Sequence, residues 1–276
     1  MRTETADKLN RVREKALARG VPAAEVERWL AAARPCAVLS SGADGPVVGR
    51  FGGPALLPGD APGIPERQRL IADLDLAALP GDATGLPLPS SGRLLLFARF
   101  HAYDLDASGT AVYVPAGIPV EERHPADHRH EPDHGWEGVD LATGEELRLG
   151  YDVSLPDNEV LIDPAGHPHA GELRAAWSDV RYEDWGRLGG TRLQIGGYST
   201  DPFGEDDPVT ASALRASGDP EGRRASPWAR PRPEDWALLA QWNGLIGGFV
   251  YWTAARKDLA ERRFDRAAVL ACFDIH

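Results

Sequence analysis

The sequence predicts an α+β protein with mixed or antiparallel sheets, an N-terminal helical hairpin, and two related halves from an internal duplication. Helical periodicity confined largely to the N-terminal end, short β-rich runs separated by Gly and Pro from residue 35 onward, and three sequence blocks that recur in the same order carry this expectation.

Leu9, Val12, Ala16 and Leu17 recur at helical spacing ahead of Gly20, so residues 4–19 read as an amphipathic helix with a glycine stop. A second helix starts at Pro22, places Val26, Trp29, Leu30 and Ala33 on one face, and ends before Pro35. Residues 1–34 are assigned to this hairpin and residues 35–276 to the α+β domain. The runs CAVLSS, VVGRF, RLIADLDLA, GRLLLFARF, TAVYVPA and EELRLGYDV then read as strands. AGELRAAWSDVRYEDW reads as a helix, and residues 201–235, with six prolines, read as an extended loop. WALLAQWNG, GFVYWTA and AAVLACFDI close the chain as strands, with the short helix RKDLAERRF before the last.

The net charge is −12, unevenly placed. Residues 1–34 hold eight basic and five acidic side chains and residues 223–276 hold nine and six, which leaves 13 basic against 31 acidic in between, a balance of −18. Such a field repels phosphate backbones, so nucleic acid is excluded as a ligand, and it attracts a basic protein or peptide. No run approaches the ~18 apolar residues of a membrane span, and the charged N-terminus lacks a secretory core, which gives a cytoplasmic expectation. Cys36 and Cys272, the two cysteines, stand in no CxxC and are read as apolar filler.

GGPALLPG at Gly52 is echoed by GGYSTDPFG at Gly196, LIADLD at residues 70–75 by LLAQWN at 238–243, and GRLLLF at Gly92 by GGFVYW at Gly247. Simple alternation puts Leu70, Ala72 and Leu74 on one strand face and Asp73 and Asp75 on the other; in the echo, Trp236, Leu238, Ala240 and Trp242 oppose Gln241 and Asn243. Asp73, Asp75, Gln241, Asn243, Gly196, Gly197 and Tyr198 are therefore the candidate polar pocket or face.

RFGGPALLPG, RLIADLDLAALP, LPSSGRLLLFARF, IGGYSTDPF, ALLAQWNG and FVYWTAARKDLAERRFDRAAVLACF, in this order, resemble the YwqG-like family of bacterial domains of unknown function. The resemblance covers residues 47–275 in islands and implies an α+β fold and a cytosolic protein; it brings no activity or catalytic residues. The family more usually has Gln at the position of Asp73 and an acidic residue at that of Asn243, and the stretch from Asn243 to Phe249 is shortened here.

HPADHRHEPDH, residues 124–134, holds four of the eight histidines. His124 to His128 and His130 to His134 have helical metal spacing, but Pro125 and Pro132 break the helix that would use it. An extended segment would leave His128 and His130 on one face, and the segment reads as a solvated loop with no metal or other cofactor. His167 and His169 repeat the ambiguity around Pro168. Asp73 and Asp75 have the spacing of a carboxylate acid/base pair, but no partner group is evident. The glycine pairs lack a phosphate-loop pattern, and in GYSTD the residue Asp201 stands where a nucleophile elbow needs Gly. The function expected is non-catalytic binding through an acidic face, immunity-like or protective in kind; a metal-dependent or carboxylate-based hydrolase is the alternative.

Overall fold

A computed structural model describes residues 2–64, 68–101, 104–124, 144–158, 161–163, 165–188, 191–200, 207–216, 233–245 and 248–273. The metal candidates His128 and His130 lie outside these residues, as does most of the histidine-rich segment. Helices α1 (Thr3–Ala18) and α2 (Ala23–Leu30) form where the periodicity places them, and Gly20 between them has φ +83°. Leu9, Val12 and Ala16 of α1 and Val26, Trp29 and Leu30 of α2 are buried with Val153, Leu155, Leu173, Trp177 and Val180. The last three belong to α3 (Ala170–Leu188).

Ten strands build one antiparallel sheet. They are β1 (Arg34–Ser40), β2 (Val47–Phe51), β4 (Arg69–Asp75), β5 (Arg93–His101), β6 (Asp104–Val114), β8 (Glu146–Ser154), β9 (Leu193–Ile195), β10 (Trp236–Leu245), β11 (Gly248–Ala255) and β12 (Ala268–Phe273). Their order is β12-β11-β10-β9-β1-β8-β2-β4-β5-β6, while β3 (Ala55–Pro58) and β7 (Val120–Arg123) pair separately. The long sheet curls until its end strands β6 and β12 lie against each other, where a side-chain carbon on Gly109 would stand 3.0 Å from Val269. The result is nearly a barrel, filled by Leu39, Phe51, Ile71, Leu74, Leu94, Leu96, Trp242, Trp252 and Phe264.

The arms β2-β4-β5-β6 and β9-β10-β11-β12 flank the central β8 and β1 in mirror order. In one, Phe51, Arg50 and Gly49 face Ala72, Asp73 and Leu74; in the other, Ile195, Gln194 and Leu193 face Ala240, Gln241 and Trp242. The Gly52 N–H donates to the Ile71 carbonyl at 2.9 Å, and the Gly196 N–H to that of Leu239 at 3.3 Å.

Three sequence expectations need correction. Register shifts between Leu70 and Ala72 and between Leu238 and Ala240 break the simple alternation, because a bulge turns two successive residues toward one side. Ile71 and Ala72, like Leu239 and Ala240, enter the barrel core, whereas Leu70 and Leu238 pack outside with other clusters. The third block is also one residue off: Leu94 faces Leu74 as Val250, not Phe249, faces Trp242. Finally, the expected loop 201–235 contains α4 (Pro208–Ala216), capped by Asp207, whose carboxylate accepts from the Thr210 N–H at 2.8 Å.

Candidate functional site

The sequence candidates fall into two groups, separated in the sheet by β9, β1, β8 and β2. Asp73 lies on β4 with a side chain that has no solvent exposure, and Arg93 donates to both its oxygens, at 2.9 and 2.7 Å. Arg50 donates to the same carboxylate at 3.2 Å and to the carbonyls of Gly52 and Pro54. Asp73 thus fixes the arginine that braces the first Gly-Gly turn. Asp75 is exposed and accepts from the Ala77 N–H at 2.9 Å, closing the turn after β4. These contacts make Asp73 an anchor and Asp75 a turn residue, not a facing acid/base pair.

The second group surrounds the other turn. Gly196 and Gly197 have φ +75° and +77°, and a side-chain carbon on Gly196 would lie 2.3 Å from the Thr84 carbonyl oxygen. Gln194 takes the place that Arg50 has in the first arm, and its amide donates to the Gly196 and Tyr198 carbonyls at 2.9 and 2.8 Å. Gln241, buried, accepts from the Thr200 N–H at 2.6 Å, and Asn243 accepts from the Arg192 N–H at 2.7 Å. With Gln194 and Phe249 they line a cavity of about 30 Å³, room for one or two water molecules.

A larger recess of about 280 Å³ opens on the other side of the same turn, lined by Arg34, Leu161, Gly197, Tyr198, Ser199, Asp207, Val209, Thr210, Glu234, Ala237 and Leu238. Arg34, at the start of β1, lies 4.1 Å over the Tyr198 ring, and the Tyr198 hydroxyl donates to the Ala32 carbonyl at 3.1 Å. Arg256, the first residue of α5 (Arg256–Ala260), donates to the Glu234 carbonyl at 3.3 Å. Burial, followed by the like charge of Arg34, pulls the Arg256 guanidinium below its ordinary pKa. Burial pushes the Tyr198 phenol up, against the pull of Arg34 and Arg256. The three groups therefore share one electrostatic environment.

Ser199 donates to Asp207 at 2.6 Å, but the second oxygen of that carboxylate takes the N–H and hydroxyl of Thr210. Asp207 is a helix cap, and no imidazole stands beside Ser199 among the described hydrogen bonds. A third cavity, of about 40 Å³, lies between Lys8, Asp152, Asp157, Arg181, Asp184 and Arg192. Its charges are largely matched: Lys8 donates to both Asp152 oxygens at 2.7 Å, and Arg181 is paired with Asp157, although burial still pushes the Asp157 carboxyl up. His169 binds Glu25 at 2.8 Å through its ring, so it anchors α2. No group of three metal-ligating side chains occurs among the described residues. Cys36 is buried, and burial first of all pushes its thiol up, which suits apolar filler.

With this architecture in place, residues 49–272 match the family described as a domain of unknown function, DUF1963. The chain belongs to the DUF1963 family. No curated protein matches it. The DUF1963 match begins within β2 and ends within β12, so both Gly-Gly turns and all but the outermost residues of the two arms lie inside it. Arg34 lies ahead of it, and Arg256 lies within. Sequence reading missed both arginines. Each lies at a strand end in its own block, and Arg256 meets the recess that Arg34 lines only through the Glu234 carbonyl, a contact between distant segments. Among the described residues no helix is long and apolar enough to cross a membrane.

Proposed function

We propose that this DUF1963 chain is a non-catalytic binding protein of the YwqG-like kind, whose ligand enters the recess beside Gly197 and Tyr198. One observation carries the reading: the polar side chains of the candidate set are committed to holding the backbone, while the recess beside them is left open at about 280 Å³. An enzyme needs an acid, base or nucleophile facing its cavity, and Asp73 and Gln241 are buried and bonded elsewhere. The matched registers, bulges and turn-bracing side chains of the two arms support an internal duplication, in which the first turn is locked by an ion pair and the second by amides. The −18 balance of the middle of the chain further favours a basic protein or peptide as a partner, immunity-like in kind.

Native mass spectrometry of the full chain after incubation with a small-molecule extract tests the recess. A bound small molecule is expected, and Val209→Trp, which fills the recess from α4, removes it without lowering the melting temperature. An adduct indifferent to that substitution, or none at all, overturns the reading. Turnover of an ester or phosphoester abolished by Asp73→Asn in a folded variant would establish the hydrolase alternative instead.

A further inference from the structure

The recess has a chemical character of its own, and the following rests on its being a ligand site. We propose that it takes a small organic anion, the acid group gripped between Arg34 and Arg256 and the apolar body lying on Leu161, Val209 and Leu238. Several partly buried arginines elsewhere in the described structure are matched to carboxylates, Arg50 and Arg93 to Asp73, Arg181 to Asp157 and Arg263 to Asp258, while Arg123 has its guanidinium filled by the carbonyls of Pro58, Gly59 and Ala61. At the recess, Arg34 contacts a tyrosine ring and Arg256 a carbonyl, and neither is paired with a described carboxylate. A guanidinium stacked on an aromatic face keeps its N–H edge free for a planar acid group, which two such forks hold better than one.

The carboxylates of the recess do not supply that partner. Asp207 is buried and gives both oxygens to Ser199 and Thr210 at the N-terminus of α4. Glu234 is exposed at the rim, and its backbone carbonyl, not its carboxylate, meets Arg256. Arg256 reaches the rim of the recess through its hydrogen bond to the carbonyl of Glu234, a residue that lines the recess together with Arg34. At about 280 Å³ the recess approaches the lower end of ordinary ligand pockets, which suits a ring or short chain and excludes a folded partner. Val209 and Leu238 belong to one apolar cluster, so the part of the wall they form offers no side-chain hydrogen bonds to a polar body.

Isothermal titration calorimetry of the full chain with benzoate, phenyl phosphate and neutral benzyl alcohol at millimolar concentration decides the matter. Both anions are expected to bind more tightly than the alcohol, and Arg34→Gln and Arg256→Gln each to weaken them by about tenfold or more, the loss of a charge-assisted contact. Arg34→Lys, which keeps the charge, recovers part of that loss, whereas a merely structural role for Arg34 would show as a lower melting temperature at unchanged affinity. Benzyl alcohol binding as tightly as the anions overturns the anion proposal and leaves the recess a ligand site. Anion binding unchanged in both Gln variants overturns the assignment to these arginines. Silence of all three probes overturns both readings together.

Discussion

Asp73 meets Arg93 through two hydrogen bonds and Arg50 through a third, and it has no surface in contact with water. Removing it strands two guanidinium groups that are themselves only 32% and 23% exposed. Asp73→Ala should therefore cost about 3 kcal/mol, the low end for breaking a buried pair because both arginines retain some water. Urea denaturation measures this directly, and a loss within experimental scatter of zero would show that the cluster is not an anchor. Alternation along RLIADLD placed Asp73 and Asp75 on a common face, but their different fates were not legible. That difference depends on Arg50, which arrives from the neighbouring strand, and on Arg93, which arrives from the next. The glycines were legible as turns for the opposite reason, since their conformation is a property of the residue itself.

Among elements, helices α1 and α2 could be read from their spacing, and α4 carried a signal in Asp207-Pro208, a cap followed by a first-turn proline, that the proline-rich surroundings concealed. The bulges were not readable, because a register shift is a relation between two strands. Helix α2 is held to the segment before α3 by Glu25, which accepts from the His169 backbone N–H at 2.8 Å and contacts its ring at 2.8 Å. Burial pushes the Glu25 carboxyl up, but the hydrogen bonds and the charges of His169 and His167 outweigh it, so its pKa lies below the ordinary 4.5. A carboxylate depressed in the folded state stabilises it fully above the unfolded pKa and loses that contribution as pH falls through the folded value. The melting-temperature gap between the parent and Glu25→Gln should thus be present above the ordinary carboxylate pKa and close as the pH falls through the depressed folded value. A gap independent of pH would mean that the contact is packing alone.

The whole molecule depends on its final strands. Trp252 is fully buried inside the barrel, and its indole N–H donates to the Phe97 carbonyl at 3.1 Å, tying one arm to the other. Trp252→Ala should remove ~3–5 kcal/mol, a large part of the 5–15 kcal/mol typical of a domain. Truncation at Arg256 removes α5, Phe264 and β12 together and should yield protein without a cooperative melt; a sharp transition in calorimetry would show the barrel to be complete without them. The alternation in FVYWTA requires at least one of its rows to enter the core, and both rows are buried: Val250, Trp252 and Ala254 inside, Phe249 and Tyr251 outside. The sequence could not reveal closure, which joins β6 to β12 across most of the domain.

That closure sets a clock. Strand β6 ends at Val114 and β12 begins only at Ala268, so at a synthesis rate of roughly 5–20 residues per second the first arm waits about 8–30 s for the strand it must lie against. Pairings of β4, β5 and β6 are local and can form at once, but β1 waits for β8 and β9, and among the described strands none lies against the outer edge of β6 until β12 leaves the ribosome. An open edge strand recruits other chains. The hazard for this protein therefore belongs to its birth, when half a barrel stands with one side unguarded, and a factor that holds nascent chains should improve its yield more than any condition applied to the finished molecule.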